Sequence, residues 1–239
     1  MNPKYYSQYR QDEFLDKKIF RNKRNGYFIE IGAYDGITYS NSYFFEKYRN
    51  WKGLCVEPVN ERFEKLDKLR TCDKICAAID TEEGIKTFIK VDGFGEMLSG
   101  IKDTYTQEHY LRLQNDIKNH GGKLAEINIK TITFNSLIEK YQVKRIDLLC
   151  IDTEGNELRI LKSIDFNKTL IDIILVENNY KNKEIREFLV KNNFVIIGKL
   201  GSDEVYRNKK NPTFIFKIKY KIDRIKKSLS YLKNSIIND

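Results

Sequence analysis

The chain contains few of the residues that mark specialised protein classes. Its 239 residues include three prolines, two histidines and four cysteines. Three prolines are too few for a proline-rich linker. None of the cysteines forms a CxxC pair, so buried reduced thiols are favoured over a zinc site or disulfides. No apolar run has the length of a signal peptide or a membrane span, and we therefore expect a cytoplasmic protein.

The composition is that of a globular domain. Hydrophobic residues make up 41% of the chain and charged residues 32%, and the length suits one α/β domain. The net charge of +9 is unevenly distributed, because residues 217–239 hold seven Lys or Arg and only two Asp. The remaining body is mildly basic and lacks a dispersed basic groove, so we expect no nucleic-acid partner.

The last segment has its own pattern. Apolar residues recur at spacings of three and four, which predicts a basic amphipathic helix at 217–239 after a main domain at 1–216. Such a helix suits docking on its own domain, homodimerisation, or peripheral contact with the anionic inner face of a membrane. The stripe comprises Ile218, Ile222, Ile225, Leu229, Leu232 and Ile236.

Buried strands alternate with helices along the body. A strand at 26–32, a helix at 40–49 and a strand at 53–57 form one βαβ unit, and a second helix is predicted at 60–70. This alternation predicts an α/β fold with a doubly wound, mostly parallel, seven-stranded sheet. The remaining strands are predicted at 75–79, 145–151, 171–176, 194–197 and 213–218.

One region interrupts this alternation. Between 85 and 131 lie an extra strand, a glycine-containing stretch and a polar helix at 107–119. Loops beyond strand ends often carry specificity, so residues 92–128 are interpreted as a helical lid insertion at an acceptor site. The alternative is a plain surface excursion.

The first chemical signal is the turn after the first strand. Glycines Gly32 and Gly36 there allow a ligand to approach the backbone closely. The GxGxxG spacing of a pyrophosphate site is absent. Glu30 and Asp35 flank the turn instead, which favours a ligand that bears an ammonium and a sulfonium. A plain strand-to-helix turn is the alternative.

The second signal is the acid that ends the next strand. Glu57, followed by Pro58, lies where a carboxylate can accept both ribose hydroxyls of a nucleoside bound across the strand ends. Together with the glycine turn, this acid predicts a nucleoside-containing cofactor.

The glycine turn, the acid at 57 and several further stretches give the sequence its resemblance to the FkbM methyltransferases. The resemblance implies a Rossmann-like class I methyltransferase fold and S-adenosylmethionine as the methyl donor. Arg10 stands where the family commonly has glycine, and Tyr34 where it commonly has Asn or another small polar residue. The matching stretches are SQYRQD at 7–12, FIEIGAYDG at 28–36, SN at 40–41, WKGLCVEP at 51–58, IDLLCIDTEGNE at 146–157 and VENN at 176–179.

The resemblance also implies roles for individual residues around the cofactor. Its methionine part is expected beside the first strand and its ribose on Glu57 and Pro58, whereas the residues after the third strand are expected near the adenine. Two N-terminal residues, Tyr9 and Gln11, are expected to fold over the cofactor. The other expected contacts are Gly32, Ala33, Asp35 and Asn41 for the methionine part, Ala77, Ala78 and Asp80 for the adenine, and Glu30 and Asp152 elsewhere in the cofactor site.

The third signal concerns the reaction itself. Asp152 ends one central strand and Glu177 with Asn178 ends its neighbour, so their oxygens are expected to meet beside the donor. Such oxygens favour Mg²⁺ or Mn²⁺. The alternative is that Asp152 bonds its own turn and Glu177 shapes a metal-free polar pocket. Candidate catalytic residues for removing the acceptor proton are Asp152, Glu154, Glu177 and His109, with Asp152 first.

The expected activity is S-adenosylmethionine-dependent O-methylation of a hydroxyl on a sugar or polysaccharide precursor. The alternatives are methylation of another small metabolite, such as a polyketide, a phosphoramidate or an amino-acid derivative, and a non-catalytic binding protein of the same fold. The sequence does not name the acceptor, because loops rather than the fold determine substrate choice.

Overall fold

The structure, a computed structural model, describes residues 3–210. The amphipathic helix predicted at 217–239 and the strand predicted at 213–218 lie outside these residues. Within the described part of the chain, no helix is long and apolar enough to cross a membrane.

Strands and helices alternate through most of the described residues. The strands are β1 (Tyr27–Ile31), β2 (Lys52–Val56), β3 (Asp73–Ile75), β4 (Ala78–Ile79), β5 (Gly84–Asp92), β6 (Gly100–Ile101), β7 (Lys123–Ile132), β8 (Arg145–Ile151), β9 (Leu170–Glu177), β10 (Phe194–Leu200) and β11 (Asp203–Asn208). The α-helices are α1 (Gln11–Phe14), α2 (Tyr43–Arg49), α3 (Asn60–Leu69), α4 (Gln107–His120), α5 (Phe134–Lys140), α6 (Glu157–Ser163) and α7 (Lys183–Lys191). A π-helical turn (Leu15–Phe20) continues α1, and two short 3₁₀ turns (Glu96–Leu98 and Lys102–Thr104) flank β6.

A large sheet of seven strands forms the centre, in the order β10-β11-β9-β8-β1-β2-β3. Neighbours from β9 to β3 run parallel, whereas β11 is antiparallel to both β9 and β10. The predicted α/β class with a large central sheet is confirmed, and the sheet is mixed. The antiparallel strand at 203–208 was not predicted, because charged residues obscure its two buried apolar positions, Val205 and Tyr206.

A second sheet has four strands in the order β4-β7-β5-β6. The single strand predicted at 75–79 is wrong, because the chain leaves the central sheet after Ile75 and enters the second sheet at Ala78. The region predicted as a helical insertion contains α4 as expected, but it also contains most of β7. In β7, which is half-exposed, lysines and a glutamate are interspersed with apolar residues. The strand was not predicted, because this pattern resembles that of the polar residues around it.

A buried ionic cluster joins the central strand to α3. Arg70, whose side chain is fully buried, donates to the Glu30 carboxylate (3.3 Å) and to the Gly36 carbonyl (2.8 Å). It also donates to Ser42 Oγ at 2.8 Å and to Glu46 Oε2 at 2.5 Å. Because each of these charged groups lies below the surface, removing one partner leaves the others buried and uncompensated.

We predict that Arg70→Met destabilises the protein by about 3–5 kcal/mol, since Glu30 and Glu46 would lose their buried counter-charge. The matched control is Lys162→Met, which removes the exposed pair between Lys162 and Glu184 and should cost less than about 1 kcal/mol. Urea unfolding of both variants measures the difference. Equal losses would show that burial does not distinguish the two ion pairs.

Candidate active site

A pocket of about 210 Å³ opens at the carboxyl edge of the central sheet, where β1, β2, β8 and β9 end. Most of the predicted site residues line it, although they come from distant parts of the chain. The predicted residues in its lining are Tyr9, Glu30, Gly32, Ala33, Asn41, Glu57, Pro58, Ala77, Ala78, Asp152, Glu154 and Glu177.

The glycine turn after β1 is closely packed against the end of β8. Gly32 has φ +85°, and a Cβ atom there would lie 1.7 Å from the Asp152 carbonyl oxygen. The amides of Gly32 and Ala33 both donate to the Val56 carbonyl at 3.0 Å. Only glycine fits this position, so the turn brings the ends of β1, β2 and β8 together around one pocket wall.

Glu30 shapes the next part of the pocket wall. Its carboxylate accepts hydrogen bonds from Ser40 Oγ (2.8 Å), Ser42 Oγ (2.6 Å) and the Asn41 amide (2.7 Å). These bonds hold the segment before α2 against β1. The Asn41 side-chain oxygen is buried and has no hydrogen-bond partner among the described residues, so the wall offers one unsatisfied acceptor.

Three predicted cofactor residues are not brought to the pocket. The Asp35 carboxylate closes its own turn by accepting from Ile37 N (2.9 Å) and Thr38 N (2.7 Å). The other two are engaged elsewhere: Gln11 donates to Asp203 at 2.7 Å, and buried Asp80 forms ion pairs with Lys86 (2.7 Å) and Arg159 (2.8 Å).

Glu57 lies at the end of β2, as predicted, and only 3% of its surface is exposed. Its two oxygens accept hydrogen bonds from the Tyr34 and Val59 amides, each at 3.0 Å. Burial raises the pKa of Glu57 to about 7, because the two amides offset only part of the lost hydration. A ligand that donates hydrogen bonds to this carboxylate would favour its ionised form.

An acidic cluster occupies the other side of the pocket. Oxygens of Asp152, Glu154 and Glu177 all lie within 4.8 Å of one another, and Asp152 and Glu177 are in hydrogen-bonding contact. Burial, followed by repulsion from neighbouring carboxylates, raises the pKa values of all three. The cluster therefore retains protons at a pH where exposed carboxyls are ionised.

Two predicted residues lie outside this cluster. Asn178 is engaged with Asn182, whose amide donates to the Asn178 side-chain oxygen at 2.6 Å. His109 is buried, and its two ring nitrogens contact the Leu98 carbonyl (3.2 Å) and the Tyr180 hydroxyl (2.8 Å). Burial lowers the pKa of His109, and neither residue lines the pocket.

Sequence reasoning missed several lining residues, among them Tyr34, Arg62 and Arg112. The Arg62 guanidinium lies 5.3 Å from the Tyr34 ring centroid and donates to the Glu96 carbonyl (2.9 Å). The Tyr34 hydroxyl donates to the Glu96 carboxylate. Tyr34 has φ +50°, a left-handed conformation that Asn tolerates better, so its departure from the family pattern was a usable signal. Arg62 and Arg112, which lie on α3 and α4, gave no such signal in the sequence.

Comparison with known proteins identifies the family. The model of the methyltransferase FkbM domain matches residues 30–196, well over half of the chain. The chain therefore belongs to the FkbM methyltransferase family, and it is a methyltransferase. No curated protein is significantly similar to it in sequence.

A solved structure described as a "putative rRNA-methylase" from Clostridium thermocellum is 8% identical to the chain. The match has a TM-score of 0.39 and covers 85% of this chain and 96% of that one. This similarity is too low to inform the fold or the acceptor.

The acidic cluster predicts how stability depends on pH. A carboxyl whose pKa is raised by folding keeps its proton in the folded state but loses it after unfolding. The unfolding free energy of the metal-free protein should therefore fall between pH 5 and pH 8. Glu177→Gln removes one titrating group and imitates the protonated acid, so this fall should shrink by roughly 2 kcal/mol.

Urea unfolding in EDTA at both pH values measures this fall. Glu139→Gln, an exposed change on α5, is the matched control and should behave like the parent protein. A parent-like fall in Glu177→Gln would mean that Glu177 does not hold a proton in the folded state.

Proposed function

We propose that this methyltransferase uses S-adenosylmethionine to methylate a hydroxyl oxygen on a sugar or polysaccharide precursor, on a Rossmann-like class I scaffold. The observation that carries the proposal is the shared pocket at the strand ends. One side holds the glycine turn and Glu57, and the other holds the adjacent carboxyls of Asp152 and Glu177. A donor site and a base site therefore face each other.

The first side fits the proposed donor. The unpartnered Asn41 oxygen can accept a hydrogen bond from the ammonium group, and buried Glu57 can accept hydrogen bonds from the ribose hydroxyls. Small Ala77 and Ala78, with Phe88 beside them, line an apolar part of the pocket suited to an adenine ring. When bound, S-adenosylmethionine supplies an electrophilic methyl group on its sulfonium.

The second side supplies a base. The raised pKa of Asp152 leaves this carboxyl able to take a proton near neutral pH, while Glu177 keeps its own proton and stabilises the Asp152 carboxylate through their hydrogen bond. An acceptor hydroxyl that contacts Asp152 could transfer its proton to this carboxylate, and a bound S-adenosylmethionine would supply the methyl group and leave as S-adenosylhomocysteine. Alignment of the oxygen with the methyl group supplies the remaining acceleration.

A divalent metal is the alternative use of the same cluster. The third residue beside Asp152 and Glu177 is Glu154, whereas the sequence had predicted Asn178. Three carboxylates suit Mg²⁺ or Mn²⁺, which would hold an acceptor hydroxyl and lower its pKa. The buried, unpartnered Glu154 Oε2 atom is consistent with a cationic occupant, but it would serve equally well for a hydrogen-bond donor from the acceptor.

The polar character of this side supports a hydroxyl-rich acceptor. Thr153, Asn179, Ser202 and Arg112 join the carboxyls in the lining and provide several hydrogen-bonding groups. A polyketide would offer fewer matching groups, whereas an amino-acid derivative or a phosphoramidate would offer some. A non-catalytic role is disfavoured because three carboxyls this close together repel one another and destabilise the empty fold. We expect a cytoplasmic enzyme with a small-molecule or sugar acceptor and no nucleic-acid partner.

We predict that Glu57→Gln weakens S-adenosylhomocysteine binding by roughly 10- to 150-fold, which corresponds to the loss of a charge-assisted hydrogen bond. Gln can still accept one backbone amide, so the fold should persist. Calorimetry compares this variant with Glu61→Gln, an exposed change on the adjacent helix. Undiminished binding in folded Glu57→Gln protein would remove Glu57 from the donor site.

Asp152→Asn should lower turnover at least roughly 100-fold, the usual contribution of a positioned base, while S-adenosylhomocysteine affinity changes little. Asp103→Asn, an exposed change, is the control. The assay follows transfer of labelled methyl from the donor to a fraction of nucleotide sugars and polysaccharide precursors. EDTA should abolish activity, with recovery in Mn²⁺, only if the cluster holds a metal. Full activity in Asp152→Asn would exclude this residue as the base.

A further inference from the structure

Exposed cations gather at the amino edge of the central sheet, opposite the pocket. β1, β2 and β8 begin at this edge, and antiparallel β11 ends there. Several cationic side chains that precede, begin or follow these strands are exposed. We call this surface the basic edge, and its members are Arg21, Arg24, Lys52, Lys144, Lys209 and Lys210.

Two of the acids at this edge, Asp147 and Asp172, are withdrawn from its surface. Asp147 is only 5% exposed and pairs with Lys23 at 2.5 Å, and Asp172 is only 6% exposed and pairs with Arg145. Three acids near this edge are exposed: Asp67 near the end of α3, Asp73 at the start of β3 and Glu139 near the end of α5. The six exposed cations of the basic edge outnumber these three acids, so the outward charge is positive.

Apolar side chains accompany these cations. Leu170, which begins β9 opposite Arg145, is 38% exposed, and Val190, near the end of α7, is 46% exposed. Both lie at the amino edge, because α7 leads from the carboxyl end of β9 to the start of β10. Cations interspersed with apolar groups suit the interface of a lipid bilayer, where phosphates and acyl chains lie close together.

The chain continues from this same edge. The Lys209 amide donates to the Asn193 carbonyl at 2.8 Å, which fixes the end of β11 there. After Lys210 another 29 residues follow, and the sequence of 217–239 combines seven cations with an apolar stripe. The basic edge and the sequence that follows it therefore both combine cations with apolar residues.

We propose that the basic edge docks on an anionic lipid bilayer, with its Lys and Arg side chains on the phosphate-bearing headgroups. A nucleic acid would use the cations but not the apolar residues, so it fits less well. The proposal is independent of the acceptor. Because the pocket opens at the opposite edge of the sheet, a docked chain would keep the pocket open to water.

The test measures flotation of the full chain with phosphatidylcholine vesicles that contain or lack phosphatidylglycerol. Binding should require the anionic lipid and weaken with salt. The triple variant Arg21→Gln, Lys52→Gln, Lys144→Gln should bind roughly 10- to 100-fold more weakly, because each cation near an anionic surface contributes to affinity. The matched control changes three exposed cations on the second sheet and α4, and should bind like the parent: Lys118→Gln, Lys123→Gln, Lys130→Gln.

Three results would overturn the proposal. Equal binding to neutral vesicles would show that the charge plays no part. Parent-like binding by the edge variant would place the contact elsewhere, whether or not the control binds more weakly. Tighter binding to a short DNA duplex than to anionic vesicles at the same salt concentration would identify a nucleic-acid surface. Circular dichroism spectra of both variants establish that they are folded, and unchanged S-adenosylhomocysteine affinity on vesicles would support the predicted open pocket.

Discussion

The buried pairing of Glu30 with Arg70 is the interaction on which the pocket depends. Glu30 lies in the middle of the sheet, on β1, where an ionised carboxylate is stable only with several donors. Those donors come from the segment before α2 and from Arg70 after α3. Satisfying one buried charge therefore fixes a central strand, a pocket wall and a helix end in one arrangement. The sequence motif predicted a ligand contact for Glu30, and the structure shows that its carboxylate also organises the fold.

The acids of the site differ in how completely the protein satisfies them. Glu30 has three neutral donors and a guanidinium, whereas Glu57 has two backbone amides. Asp152 and Glu177 have mainly each other, and one oxygen of Glu154 has no partner among the described residues. The pKa values of Glu57, Asp152, Glu154 and Glu177 are raised, because poorly satisfied carboxyls resist ionisation. Glu30 therefore has a structural role, whereas the acids with fewer protein donors remain available to a ligand.

Local sequence patterns predicted the structural features that depend on residues close together in the sequence. Buried strands, the Gly32 turn and Glu57 at a strand end all follow from apolar runs and backbone requirements close in sequence. The break after Ile75 could not be predicted, since it depends on pairing with the distant strand β7. For the same reason, the sequence indicated acids at two strand ends but not that Glu154 would join them in place of Asn178. Contacts between segments that are distant in the sequence determine both features, and the spacing of residues along the chain does not reveal such contacts.

The contacts around Tyr34 bear on how donor and acceptor sides communicate. Its amide donates to Glu57, while its hydroxyl donates to Glu96 in the 3₁₀ turn that follows β5. Arg62 holds the same turn and lies over the Tyr34 ring. The region expected to act as a lid is thus tied to the donor turn by side chains that line the pocket. A movement of the Glu96 turn would disturb the amide that Glu57 accepts, so under the proposed function closure of this region over an acceptor would be coupled to donor binding.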